Sequence, residues 1–214
     1  DRKLPLFQRI TEEAVKKKIK DKALVIGING IDGAGKTRFA ASLETYFKTR
    51  GYQTQLIPMD DFHNPKAIRY AGADQTENYY YKSFNIHLII EKLLSPIKER
   101  RPLSLNHQAL DLNTDKYEID RTYDIDRNTV VIFEGVFLFR DELAPYLDYK
   151  VFLDITYGES KRRAIARDAR AVLNKYDTKY LPAQRKYLEA FPPRETADMI
   201  IDNSNWEYPR LTFP

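Results

Sequence analysis

Apolar positions recur along this chain in two rhythms. From Pro5 to Lys20, the residues Leu6, Ile10, Ala14, Val15 and Ile19 fall on one stripe and predict an amphipathic helix within residues 1–22. Its Lys16-Lys17-Lys18 run falls on the solvent side. Leu24 to Asn29 is a short continuous apolar run, the pattern of a buried strand. Phe39, Leu43, Tyr46 and Phe47 then follow helical spacing, with Gly51 as a stop. Residues 53–59 read as a second strand, and Ile86 to Leu94 as a helix ended before Pro96. Between them, residues 64–82 are tyrosine-rich and weakly periodic, which predicts an irregular binding loop or lid. Leu103 to Ile119 alternates weakly, as a short antiparallel excursion would. Strands at 129–135, 150–154 and 197–203 and helices at 159–173 and 182–191 complete the pattern. Such alternation predicts an α/β fold around a parallel sheet. No repeat or low-complexity linker divides the chain, so residues 1–214 read as one domain.

Composition narrows the classes. The chain is 43% hydrophobic and 31% charged, as in globular proteins. Runs such as Val130–Phe133 and Val136–Phe139 are far too short to cross a bilayer. Asp1-Arg2-Lys3 opens no signal-peptide core, and there is no cysteine for disulfides or thiolate metal sites. A cytoplasmic protein is the expectation. A net charge of +4, from 35 basic against 31 acidic residues, gives no concentrated basic face, so no nucleic-acid or membrane partner is expected. A homo-oligomer is left open.

The chemistry starts at Gly30-Ile31-Asp32-Gly33-Ala34-Gly35-Lys36-Thr37, the phosphate-binding pattern G-x-x-x-x-G-K-T. Its glycines let the backbone approach a ligand, and its N–H groups can cradle a polyphosphate. Lys36 puts a cation on the terminal phosphates. Thr37 can offer a hydroxyl to Mg²⁺, and Arg38 follows on the helix whose N-terminus favours negative charge. The flanking strand and helix are the setting that this P-loop needs. ATP and Mg²⁺ are the expected cofactors.

Other candidates stand where parallel strands end. Met59-Asp60-Asp61-Phe62-His63 closes the second strand, where functional residues gather in such sheets. Turn chemistry alone could also place aspartates there. Glu134 ends the 129–135 strand before Gly135, as Walker-B acids do. Arg69, Tyr70 and Tyr79 to Tyr81 lie in the tyrosine-rich stretch, where tyrosines can pocket a flat molecule. The 159–173 helix carries Lys161, Arg162, Arg163, Arg167 and Arg170; arginines one turn apart share a face and could clamp phosphates. His107, Asp111 and Asp115 fit no metal-ligand spacing. Asn174-Lys175-Tyr176-Asp177 matches the guanine-reading N-K-x-D motif, but follows a helix instead of an apolar strand.

Together, Val25–Thr37, Met59–His63, Val131–Phe139, Val151–Arg170 and Ala197–Asn203 resemble the uridine kinase and phosphoribulokinase family of P-loop kinases. Asp-Asp-Phe-His after the second strand is the most discriminating piece. The resemblance implies a three-layer P-loop NTPase fold, with a parallel five-stranded sheet in order 2-3-1-4-5 and helices on both faces. It implies transfer of the ATP γ-phosphoryl group to a hydroxyl of a small-molecule acceptor, a nucleoside before others. Lys36 would hold the β- and γ-phosphates, Thr37 and Glu134 the Mg²⁺ or its water, and Asp60 would receive the acceptor proton. Arg163 and Arg167 would belong to a lid over residues 158–180. Asp61 and His63, with Arg69 and Tyr79 nearby, would shape the acceptor pocket. Uridine kinases usually carry an acid near 79–82, where this chain reads Tyr-Tyr-Tyr-Lys. That leaves nicotinamide riboside, pantothenate, glycerate or a sugar phosphate as alternative acceptors. A nucleotide-dependent switch or binding module is the remaining reading.

Overall fold

The computed structural model describes residues 3–168 and 175–213. Its centre is β1, Leu24–Gly30, in which every residue is buried. Parallel partners flank it on both sides, β5 (Val130–Gly135) and β6 (Tyr149–Asp154). With β2 (Thr54–Pro58), β7 (Met199–Asp202) and β8 (Arg210–Phe213), the sheet runs β2-β5-β1-β6-β7-β8. The strands β3 (Leu103–Asp111) and β4 (Lys116–Ile125) pair only with each other, as an antiparallel hairpin. With the hairpin left out of the count, the five parallel strands stand in the order 2-3-1-4-5. An antiparallel edge strand, β8, is added to them.

The period of two along the central strands assigns their side chains to two cores. Leu24, Ile26, Ile28, Val130, Ile132, Val151 and Leu153 face α1 (Leu4–Lys16) and α2 (Lys36–Thr49). Val25, Val131, Phe133 and Phe152 face the opposite layer. That layer includes Tyr79 of α4 (Gln75–Lys82), Leu93 of α5 (residues 86–98) and Tyr187 of α7 (Leu181–Ala190). Strands covered on both faces need continuous apolar runs, which is why β1 and β5 read so plainly. Short α3 (Lys66–Arg69) precedes α4, and α6 (Tyr157–Asp168) follows β6.

Several boundaries differ from expectation. The first helix ends at Lys16, and Ile19 is 45% exposed. The chain turns through a left-handed Asp21, so that Lys22 can pair with Asp148 at 2.5 Å. Residues 64–82 are not an irregular loop. Asp74 accepts the N–H groups of Thr76 and Glu77 and caps α4, whose buried face is made of Asn78 and Tyr79 instead of aliphatic residues. The 86–98 helix runs past Pro96, widening to a π segment at Ile89–Leu94 before it takes in a residue with no N–H to donate. The hairpin continues to Ile125, where Tyr123 and Ile125 join the core. Arg170, Leu173 and Asn174 lie outside the described residues. Among the described residues no helix is long and apolar enough to cross a membrane.

Candidate active site

The 30–37 loop leaves β1 with Gly33 at φ +74° and Gly35 at φ +85°. A side chain on Gly35 would also meet Asn203 Nδ2 at 2.8 Å. Both glycines are therefore required for the turn into α2. The loop is held from outside. Arg163 Nη1 donates to the Gly33 carbonyl at 2.9 Å, and its Nη2 donates to the carbonyls of Asn203 and Ser204 at 3.0 and 2.6 Å. Asn203 Nδ2 donates to the Ala34 carbonyl at 2.6 Å. The Asp32 N–H donates to Gln184 Oε1 at 2.5 Å, and its carboxylate accepts from Tyr79 OH at 2.9 Å and Gln184 Nε2 at 3.1 Å. Ser160 Oγ donates to the Asp32 carbonyl and accepts from Tyr176 OH. Burial pushes the Asp32 carboxyl up, and Lys36 opposes the shift. Asp32 thus ties the loop to α4, α6 and α7.

The cleft beside this loop has a volume of about 520 Å³. Asp32, Gly33, Gly35, Lys36, Thr37 and Arg38 line it from the loop side. Asp60, His63, Arg69, Tyr79 and Glu134 join them, and the basic helix contributes Arg163 and Arg167. Gly30 and Ala34 support the loop from behind: a Cβ on Gly30 would lie 2.7 Å from the Leu153 carbonyl, and Ala34 is fully buried.

Glu134 is 4% exposed, and its Oε1 accepts from Thr37 Oγ1 at 2.9 Å. Burial pushes its carboxyl up, opposed by Lys36 and by the Thr37 hydrogen bond. Lys36 Nζ rests on the Ile31 carbonyl at 3.0 Å. A hydroxyl and a buried carboxylate in contact, next to a loop lysine, are the oxygen donors that Mg²⁺ takes when substrate phosphates and waters complete its shell. The residues therefore fit a phosphate-bound Mg²⁺. No group of three or more metal-ligating side chains occurs among the described residues, so the protein alone offers no closed cage.

Asp60 and Asp61 point in different directions because a 3-10 turn, Met59–Phe62, separates them while it buries Met59 and Phe62. The Asp60 side chain is 73% exposed and lines the cleft. Asp61 instead accepts from Arg121 Nε at 3.0 Å and from Tyr123 OH, and its carbonyl lies 2.6 Å from His107 Nε2. It anchors the hairpin, which in turn brings Leu112 to the cleft. His63 packs on Phe84, with Nδ1 at 2.8 Å from the Asp60 carbonyl. Asp61→Asn is expected to cost about 1–3 kcal/mol of stability through the buried Tyr123 hydroxyl, a fall in melting temperature of roughly 2–10 °C. An unchanged melting temperature with a raised acceptor KM would place Asp61 in the acceptor pocket instead.

On α6 the spacing of four selects which arginines face the cleft. Arg162 and Lys161 turn outward to Glu159 and Asp177, while Arg163 and Arg167 turn inward. Hydrogen bonds from Arg162 and Arg163 push the Glu159 carboxyl down to about 2. Glu159 thus fixes the Arg163 fork. Arg163→Met is expected to lower the melting temperature by several degrees, since charge-assisted bonds are worth about 1.5–3 kcal/mol, and to weaken ATP binding through the loosened loop. Unchanged calorimetric melting would remove this locking role. Asp177 is held on the surface by Lys161 at 2.7 Å, so the acid of the N-K-x-D match does not line the cleft, although Tyr176 does. Sequence reasoning missed Ser160, Tyr176, Lys179, Tyr180 and Gln184. Among these, Ser160 and Gln184 fall on the helices read at 159–173 and 182–191, and nothing marks either as a partner of the loop.

A glycine loop at the end of a central parallel strand, a buried carboxylate at the next strand end and a basic helix across the cleft define a P-loop kinase fold. The chain belongs to the phosphoribulokinase / uridine kinase family, whose model matches residues 25–204. It is a phosphotransferase class that acts on hydroxyl groups. A uridine kinase of Bacillus pumilus (strain SAFR-032) is 27% identical over 194 residues, covering 86% of this chain and 88% of the relative. A solved structure described as a possible uridine kinase from Bacillus stearothermophilus aligns with a TM-score of 0.71 at 27% identity, covering 92% of this chain and 98% of that one. The D-glycerate 3-kinase of Cryptococcus neoformans shares the fold at 15% identity, with a TM-score of 0.54 over 79% of this chain and 83% of its own.

Proposed function

We propose that this chain transfers the γ-phosphoryl group of Mg·ATP to a hydroxyl of a small molecule. The convergence of Lys36, the Thr37–Glu134 pair and Asp60 on one cleft carries this reading. The acceptor oxygen forms a bond to Pγ as the bond from Pγ to the β,γ-bridging oxygen breaks. ADP leaves with that electron pair, and the hydroxyl proton passes to Asp60 and then to solvent. Lys36 and the loop N–H groups hold the phosphates in line, which is most of what phosphoryl transfer requires. Bound at Thr37 and Glu134, Mg²⁺ would neutralise charge on the β- and γ-oxygens. The whole chain acts as one kinase domain, with 158–180 as a lid in which Arg167 reaches the phosphates and Arg163 fixes the loop.

The uridine kinase names of the relatives support a nucleoside as acceptor. A second reading, an acceptor such as glycerate, pantothenate or a sugar phosphate, is favoured by Arg69 and Lys179 on the cleft wall. The switch reading loses support because Asp177 is paired on the surface. The deciding experiment is a coupled ADP-release screen, with ATP and GTP, across nucleosides, vitamins, sugar acids and sugar phosphates. Stimulation by one acceptor class identifies it; no stimulation by any acceptor counts against the kinase reading.

A further inference from the structure

A second group of cations stands in the cleft, on the segment that follows Asp60 and near the end of the 158–180 stretch, and not on the phosphate loop. Lys179 is only 6% exposed and lines the cleft with Arg69. Its ammonium lies 4.2 Å from the centre of the Tyr70 ring, with the Tyr180 and Tyr79 rings at 5.7 and 5.9 Å. Arg69 and Lys175 approach the same Tyr70 ring at 5.6 and 5.9 Å. Among the described residues no carboxylate or carbonyl accepts a hydrogen bond from the Lys179 ammonium. The Arg69 side chain is 13% exposed; one terminal nitrogen reaches Asp115 at 3.5 Å, while its buried Nε has no partner. Asp115 is already engaged by the Lys66 N–H at 2.9 and 3.1 Å.

A buried ammonium without a counter-charge is unfavourable, and tyrosine faces return only part of the lost hydration. Burial, then Arg69 and Lys175, push the Lys179 amine down. An arrangement of this kind is relieved when an anion enters with a ligand. The donor phosphates already have Lys36 and the loop.

We propose that Arg69 and Lys179 form an anion subsite for the acceptor, so that the hydroxyl compound phosphorylated here carries a phosphate or carboxylate of its own. This rests on the kinase reading above. A neutral nucleoside offers no charge to either side chain. The cleft rings of Tyr79 and Tyr180 then pack the acceptor carbons and limit water beside the cations, which strengthens their hold on an anion.

The test is calorimetric titration of the full chain saturated with Mg·AMP-PNP, which fills the donor subsite. Inorganic phosphate, D-glycerate and uridine serve as probes. One anion at least is expected to bind, with Lys179→Met or Arg69→Met weakening it tenfold or more and Lys179→Arg retaining most of the affinity. Phosphate binding without glycerate binding identifies a phosphorylated acceptor; the reverse identifies a hydroxy acid. Lys179→Met should melt at or above the wild-type temperature, because it removes a largely buried charge for which no described residue supplies a counter-charge. Absence of anion binding, anion binding as tight in both Met variants as in the wild type, or uridine binding unaffected by them overturns the subsite. Failure of the wild type to bind Mg·AMP-PNP sinks the kinase reading itself, a separate outcome.

Discussion

Lys36→Ala is expected to lower kcat/KM for phosphoryl transfer by about a thousandfold or more, near 4 kcal/mol of lost transition-state stabilisation. The size follows from where charge moves. Negative charge builds on the bridging and β-phosphate oxygens as the Pγ bond breaks, and a preorganised cation in a partly dry site acts on it without reorganisation. Two neighbouring cations are committed elsewhere: Arg163 is held by three backbone carbonyls, and Arg38 lies over the Trp206 ring at 3.3 Å. Lys36 makes one hydrogen bond of its own, to the Ile31 carbonyl. Its loss should therefore leave the melting temperature almost unchanged while ATP binding weakens. Steady-state kinetics with calorimetric melting separates the two. A variant that keeps a tenth of wild-type activity would show that the loop's N–H groups suffice, and Lys36 would lose its central role.

The parts of this architecture that were legible in the sequence are those in which chemistry and hydrophobic rhythm coincide. Val130 to Phe133 had to be a central strand, because four consecutive apolar residues find cover only between two helical layers. The P-loop was legible because its glycines answer to backbone geometry that no other residue supplies cheaply. Where tyrosine replaces aliphatic residues, the rhythm fades. Helix α4 was read as loop, although Asp74 and Glu77 stood at cap spacing. The edge strand β8 is four residues long, too short for a pattern, and takes its shape from β7. The directions of Asp60 and Asp61 could not be read at all, since a single turn residue decides them. Nor could the aromatic setting of Lys179, which Tyr70, Tyr79 and Tyr180 supply together.

The adjacent aspartates give the sharpest test of the site. Asp60→Asn is expected to lower kcat by about 10²–10⁴-fold, the usual range for loss of a general base. KM for ATP should stay within about twofold, because among the described residues no hydrogen bond joins the Asp60 carboxylate to the loop that holds the donor. Its side chain is 73% exposed, so the melting temperature should not move. Asp61→Asn should do the opposite, since its carboxylate is bonded to Arg121 and Tyr123 and turned away from the cleft. The two substitutions change the same atoms one residue apart, so composition and net charge cancel in the comparison. What remains is the 3-10 turn at Met59–Phe62, which delivers one carboxylate to the acceptor and the other to the hairpin. Should Asp60→Asn retain full kcat, the proton must leave by another route, with His63 as the nearest group, its Nδ1 4.0 Å from Asp60 Oδ1. Should both variants lose kcat without losing stability, the hairpin contact would be part of the acceptor site, and Asp61 would hold the substrate through Arg121 and not merely the fold.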